Sequence, residues 1–298
     1  MIKRIALFLL TNIAILLVIS IVLHLLGIDR WAYARQGLTL QQLLLFSLVV
    51  GFTGSFISLA ISKWMAKSAY DIHVIESPSN EAEQWLVDTV QGLAAKAGIA
   101  MPEVGIYDSP EVNAFATGPS RSNSLVAVSS GLLRAMSRQE ATGVLGHEIS
   151  HVANGDMVTM TLLQGVLNTF VIFLSRLLAS FIDRALSGGR DDRGPGIGSF
   201  FTTLILQVLL GFLASLVVYA FSRWREYHAD AGSARLEGSK EPMLAALRRL
   251  KAITESDPVI DDRSAALQAF KISGKPGSAS IFADHPSLDD RIAALERL

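Results

Sequence analysis

The chain has 298 residues, half of them hydrophobic, with a mean hydropathy of +0.40 and a net charge of −1. That hydropathy argues against an ordinary soluble enzyme and for a membrane protein with polar parts, and the near-neutral balance gives no footing for nucleic acid. Zero cysteines excludes disulfides and every thiolate metal site, while leaving the compartment open.

Four apolar segments, at about 5–26, 40–61, 157–175 and 200–221, are long enough to cross a bilayer. A hydrocarbon core of ~30 Å needs about 20 residues of helix. Lys3 and Arg4 precede the first segment, and Ala32-Tyr33-Ala34 resembles a signal cleavage site. Its apolar core is longer than the roughly 7–15 residues of a signal peptide, so we read an uncleaved anchor. The second and third segments carry Gly, Ser, Thr and Asn, which suit helix packing in lipid. The expected divisions are a transmembrane hairpin at 1–61, a polar region at 62–156, a second hairpin at 157–221 and a polar tail at 222–298. The second hairpin should turn through 176–199, which contains SGGRDDRGPGIG.

Within the first polar region, 81–97 predicts a helix. Asn80 caps it, acids fill its first turn, Trp85, Leu86, Val90 and Leu93 form a stripe, and Gly98 stops it. Short strands are expected at 104–107, 114–117 and 125–129. Ser137 and Glu140 then make a capping box for a helix running to Ala153, ended by Asn154-Gly155. The tail predicts a helix near 242–254, a Gly/Ser-rich stretch, and a last helix after Ser287. Lys3, Arg4, Lys63, Lys67, Arg223 and Arg225 crowd one set of span ends; Arg30, Arg35, Arg176, Arg184, Arg190 and Arg193 mark the other. The bias is slight, and by the positive-inside rule we expect the termini and both polar pieces in the cytoplasm.

The capped helix holds VLGHEISHVANGD at 144–156. At about 100° per residue, His147 and His151 lie ~40° apart and one turn apart, so two imidazoles can converge on one ion. Glu148 stands beside them as a general base. A third ligand is required. The residues three and six beyond His151 are Asn154 and Met157, so a three-histidine run fails. Asp156 follows the helix stop and reads as poorly aimed, and His24 is remote. Glu226, in FSRWREYHAD at 221–230, is the strongest candidate. It shares a helix face with Asp230 at i+4, a pair suited to a ligand and an acceptor for a ligating imidazole's other N–H. A solvated acidic pair is the bland reading. His228 is ~200° around the helix from Glu226 and should face away. Two crossings separate His151 from Glu226, which returns both to the same side. Only Gly155-Asp156 separates the motif helix from the third span, and Glu226 follows the fourth by about five residues, ~7 Å of helix. The site is therefore expected near the membrane surface.

HEISH followed by NGD, a hydrophobic hairpin and SRWREYHAD resembles the bacterial HtpX membrane metalloprotease family, relatives of the prenyl-protein CAAX endoproteases. The resemblance runs from the N-terminal hairpin to HPSLDDRI at 285–292. It implies a mainly α membrane protein with four transmembrane helices and a cytoplasmic α+β gluzincin-like zinc protease domain. It implies an endopeptidase in the bacterial inner membrane, with one Zn2+ per chain, that cuts misfolded or damaged membrane proteins under stress. Polypeptides and the lipid bilayer are the implied partners; nucleic acid is not. The ligand roles pass to His147, His151 and Glu226, the base role to Glu148, and support of a histidine ligand to Asp230. Asn113, in NAFATG at 113–118, is implied as a contact for substrate backbone, and His285 as a contact for substrate or the tetrahedral intermediate. Two other readings stay open. An intramembrane zinc protease would bury its His pair in a span, but here Arg138, Gln139 and Glu140 open the motif helix. A non-catalytic metal scaffold would have no need of Glu148.

Overall fold

The computed structural model describes residues 39–186, 197–256 and 285–298, with Ile21, His24 and Leu25. The chain divides into two compact units, Met1–Ser58 with Met160–Val218, and Leu59–Thr159 with Tyr219–Leu298.

In the first unit the long elements are α1 (Leu40–Tyr70), α5 (Asp156–Leu186) and α6 (Ile197–Glu237), each of which also enters the second unit. Among the described residues, three helices are long and apolar enough to cross a membrane. The expected first span lies outside the described residues apart from three helical positions. Small residues let α1 and α5 approach closely. A Cβ at Gly51 would lie 2.5 Å from Thr169 Oγ1, and one at Gly165 would lie 2.7 Å from the Phe52 ring. The helix α5 also outruns its expected end at Ser175, because 176–186 holds no Gly or Pro to stop it. Arg176 is thus inside a helix, stacked over Phe46 at 4.4 Å.

The second unit is built on a four-stranded sheet. Its strands are β1 (His73–Val74), β2 (Glu103–Tyr107), β3 (Ala114–Ser120) and β4 (Asn123–Ser129), in the order β1-β2-β4-β3. β2 and β4 run parallel, while β1 and β3 pair antiparallel at the two edges. β4 reads Leu-Val-Ala-Val because both its faces are covered. Val126 and Val128 join Val104 and Ala114 against Leu86 and Val90 of α2 (Glu81–Ala97), and Leu145 and Ile149 of α4 (Arg138–Asn154). Leu125 and Ala127 face the other way, onto Tyr107, Phe115 and Ala66. Tyr70, Tyr107 and Phe115 pack there with ring centroids 5.0–5.8 Å apart.

Local rules account for the helices around the sheet. Asn80 accepts from the Glu83 N–H and Gly98 turns left-handed, so α2 begins and ends where expected. Ser129 caps a short helix, α3 (Ser130–Ala135), that the sequence did not announce. α7 (Glu241–Ser256) and α8 (Leu288–Glu296) complete the unit, joined by Met243, Leu244, Leu247 and Leu295. α4 and α7 touch at Gly143, where a Cβ would come within 2.6 Å of the Pro242 backbone.

Candidate metal centre

α4 is framed by both halves of its capping box: the Ser137 hydroxyl accepts from the Glu140 N–H, and the Glu140 carboxylate accepts from the Ser137 N–H. Gly155 ends it at φ 72°, donating its N–H to the carbonyls of His151 and Val152. Arg121, at the β3–β4 turn, donates to the Asn154 carbonyl and covers the same end. Two glycines bring α4 against α6. A Cβ at Gly146 would lie 2.6 Å from Ser233 Oγ, and one at Gly232 would lie 2.5 Å from Ser150 Oγ. Ser233 Oγ also donates to the Gly143 carbonyl at 2.8 Å. That approach delivers Glu226 and Asp230 of α6 to the histidines of α4.

The donor atoms converge. His147 Nε2 and His151 Nε2 lie 3.1 Å apart, and Glu226 oxygens lie 3.4 Å from the first and 3.3 Å from the second. A tetrahedral zinc with bonds of about 2.0–2.1 Å requires ligand atoms ~3.3 Å apart. The opposite ring nitrogens are engaged. His147 Nδ1 is 2.9 Å from Asp230 Oδ1, and His151 Nδ1 is 2.6 Å from Asp156 Oδ2. With each Nδ1 donating to a carboxylate, each ring in its neutral form turns its Nε2 lone pair toward the point the two share, where a proton or a cation can sit. Facing lone pairs beside a carboxylate ask for a cation between them. Glu226 Oε2 is buried and, among the described residues, has no donor in hydrogen-bonding alignment.

Electrostatics points the same way. Burial works against charge on both imidazoles, but Asp230 and Glu226 outweigh it at His147, and Asp156 and Glu226 outweigh it at His151. His147 is raised, and His151 is pushed up to about 10. The cluster therefore stabilises positive charge where its donor atoms meet, and the residues fit a divalent cation. Among the described residues, His147, His151 and Glu226 form the one such group of three. Glu148 is buried beside them, and burial raises its pKa above the ordinary carboxylate range. The backbone N–H of Ala116, on β3, donates to its carboxylate.

His285 lies close by, its Nδ1 2.8 Å from Glu226 Oε2 but out of line for a hydrogen bond. Asn113 stands at the entry to β3, buried, its carbonyl accepting from the Ser129 N–H and its side chain against the Tyr107 hydroxyl. His228 instead packs at a tilt against Trp224, its Nδ1 2.9 Å from the Trp224 carbonyl oxygen. Asp156 is not among the converging donors, as expected, but the left-handed turn at Gly155 sets its carboxylate on His151 Nδ1, a supporting contact that the sequence did not announce. Sequence reasoning also gave no role to Arg291, which is fully buried and grips Asp230 through two nitrogens. Its signal was present. Leu288, Arg291, Ile292 and Leu295 form one helical stripe, so a charge occupies a core position.

The sequence profile of peptidase family M48 matches residues 80–298. The chain belongs to peptidase family M48. A protease HtpX homolog of Methylacidiphilum infernorum (isolate V4) is 59% identical over 300 residues, covering 100% of this chain and 99% of the relative. A second homolog, from Janthinobacterium sp. (strain Marseille), is 54% identical, with 99% of both chains covered. Protease HtpX of Alkalilimnicola ehrlichii is 53% identical, covering 99% of this chain and 97% of its own. Among solved structures, the crystal structure of S. mikatae Ste24p matches with a TM-score of 0.62 at 20% identity, over 99% of this chain and 67% of that one. That likeness shows the fold. Within M48 the chain is thus an HtpX-type membrane metalloprotease, mainly helical.

Proposed function

We propose that this M48 chain is a zinc endopeptidase that hydrolyses peptide bonds of misfolded or damaged membrane proteins at the cytoplasmic face of the bacterial inner membrane. The observation that carries the reading is Glu148, a buried base next to three donor atoms at tetrahedral spacing. His147, His151 and Glu226 would hold the zinc, with Asp230 and Asp156 orienting the two imidazoles. When bound, zinc supplies Lewis-acid polarisation of the scissile carbonyl and acidifies water. Glu148 takes the proton of the attacking water and returns it to the departing amine as the C–N bond breaks. His285 would meet the charge that develops on the carbonyl oxygen.

Substrate alignment falls to β3. It is an edge strand, and just ahead of it, in register with the β3–β4 ladder, the Ser129 N–H donates to the Asn113 carbonyl while the Asn113 N–H donates to Ser129 Oγ. By the alternation of an antiparallel ladder, the peptide group of Ala114 and the carbonyl of Ala116 face outward, while the Ala116 N–H is held by Glu148. An extended substrate can pair there with little demand on its sequence, with Asn113 at the strand's entry. That suits clearance of damaged proteins of many sequences. Four spans, counting 5–26, put both polar regions on one side, and the basic residues at 63, 67, 223 and 225 favour the cytoplasm. Five residues of one helix separate Phe221 from Glu226, about 7 Å of rise, which favours chain segments close to the bilayer.

The test is metal analysis and casein cleavage on detergent-purified protein: stoichiometric zinc and chelator-sensitive cleavage are expected, and chelator-resistant cleavage would sink the reading. Orientation is tested with single cysteines in this cysteine-free chain, at Ser187 and Ser278, both outside the described residues. An impermeant thiol reagent on intact cells should label position 187 and spare 278; the reverse pattern overturns the cytoplasmic placement. Asp156→Ala should weaken zinc binding about 10–100-fold by releasing His151, measured by chelator competition. Unchanged affinity would show that Asp156 does not support the metal.

A further inference from the structure

Arg291 occupies a position that packing alone would give to leucine. Its neighbours on the α8 stripe, Leu288, Ile292 and Leu295, all pack in apolar clusters, and its side chain is buried completely. Replacing a buried ion pair by well-packed apolar residues is often neutral or stabilising, so a guanidinium here is poorly explained as a source of stability. Its contacts are specific. Nε and Nη2 fork onto Asp230 at 2.9 Å and 2.6 Å, and Nη1 lies 3.4 Å from Glu226 Oε2. The Asp230 oxygen that receives Nη2 also receives His147 Nδ1. One cation therefore touches both acids of α6 and, through Asp230, sets the plane against which the His147 ring is held.

The planar fork decides what this contact can do. A bidentate guanidinium fixes the carboxylate's rotation as well as its position, which a point charge does not. It also offsets the repulsion between two carboxylates one turn apart in a buried site. Among the described residues, the ties from α8 to α7 and the turn before it, Lys251 to Asp289, Arg248 to Glu296 and Lys240 to the Glu296 carbonyl, are exposed. Exposed pairs of that kind contribute little. Arg291 is the link from α8 into the site.

We propose that Arg291 is the positioning residue of the metal centre: its grip on Asp230 and its reach to Glu226 hold His147 with Nε2 free for the metal, and make docking of α8 a condition for retaining zinc. This rests on the zinc reading given above. The experiment compares full-length, detergent-purified wild type with Arg291→Lys, Arg291→Met, Asp230→Asn and the Arg291→Met/Asp230→Asn double variant. Zinc affinity is read by chelator competition, the unfolding temperature of the zinc-stripped protein by circular dichroism, and ligand geometry by the visible spectrum with cobalt(II) in place of zinc. Arg291→Lys keeps charge and approximate volume but loses the fork, and should weaken zinc about tenfold with an altered cobalt spectrum. Arg291→Met should weaken it by up to about 100-fold, and the double variant should be no worse than the weaker single, because both act through one carboxylate. Wild-type affinity and spectrum in Arg291→Lys would overturn the proposal, as would losses at Arg291 and Asp230 that multiply independently. A lower unfolding temperature with unchanged zinc affinity also overturns it, since that is a structural role alone. If Arg291→Met does not fold, Arg291→Lys decides. A wild type that binds no zinc removes the proposed function together with this inference, whereas a zinc-loaded wild type with indifferent Arg291 variants removes this inference only.

Discussion

Glu148→Gln should leave zinc in place while peptide hydrolysis falls about 10²–10⁴-fold, the range attached to loss of a positioned base. The substitution keeps volume and shape at a position only 5% exposed, so no cavity or overpacking follows. It also keeps one oxygen to accept the Ala116 N–H. None of His147, His151 and Glu226 is touched, so the spacing of the donor atoms persists. What disappears is basicity. Burial raises the Glu148 carboxyl above its ordinary value, which makes it a better proton acceptor than an exposed carboxylate, and an amide is no acceptor of that kind. Zinc content by atomic absorption and casein hydrolysis on the same preparation check the prediction. Full activity in Glu148→Gln would mean that this glutamate is not the base.

Much of the second unit was legible because its elements obey local rules. Asn80 and Gly98 bound α2, Ser137, Glu140 and Gly155 bound α4, and Gly238 follows α6, each through a cap whose geometry involves only nearby residues. The strands β2, β3 and β4 announce themselves by apolar runs between turn residues. Their order does not. The parallel pairing of β2 with β4 depends on covering both faces at once, with Val126 toward the helices and Leu125 toward Phe115, and no window of sequence contains that. The two-residue strand β1 exists because β2 offers an edge to it.

The site divides along the same line. His147, Glu148 and His151 share one helix, so spacing is geometry, and Glu226 with Asp230 repeats the case on another helix. The contact of Asp156 with His151 is not legible in the sequence, because it depends on the left-handed turn at Gly155 bringing the next residue back to the ring. Arg291 has no motif of its own to announce a role. Its place in an apolar stripe was the contrary signal, and its partner, Asp230, lies far off in sequence.

Glu226→Ala should remove zinc and activity together, and so tests the ligand set directly. Two imidazoles remain, fewer than the three protein ligands of a catalytic zinc site. The loss of affinity should exceed the roughly 10–100-fold expected for a supporting residue. The change also removes the carboxylate facing both Nε2 atoms and Arg291 Nη1, so the buried positive charge of Arg291 loses one of its acidic neighbours while keeping Asp230. Added zinc should not restore hydrolysis at concentrations that saturate the wild type. Glu226→Asp separates charge from reach: it keeps the anion but withdraws it by one methylene, and should recover part of the zinc without full activity. The sharpest rival is His285, whose Nδ1 lies 2.8 Å from Glu226 Oε2. If Glu226→Ala holds zinc at wild-type affinity and His285→Ala loses it, the centre is a three-histidine site and the assignment of Glu226 is wrong. If Glu226→Ala loses zinc and His285→Ala keeps it with reduced hydrolysis, the glutamate is the third ligand and the histidine serves the substrate.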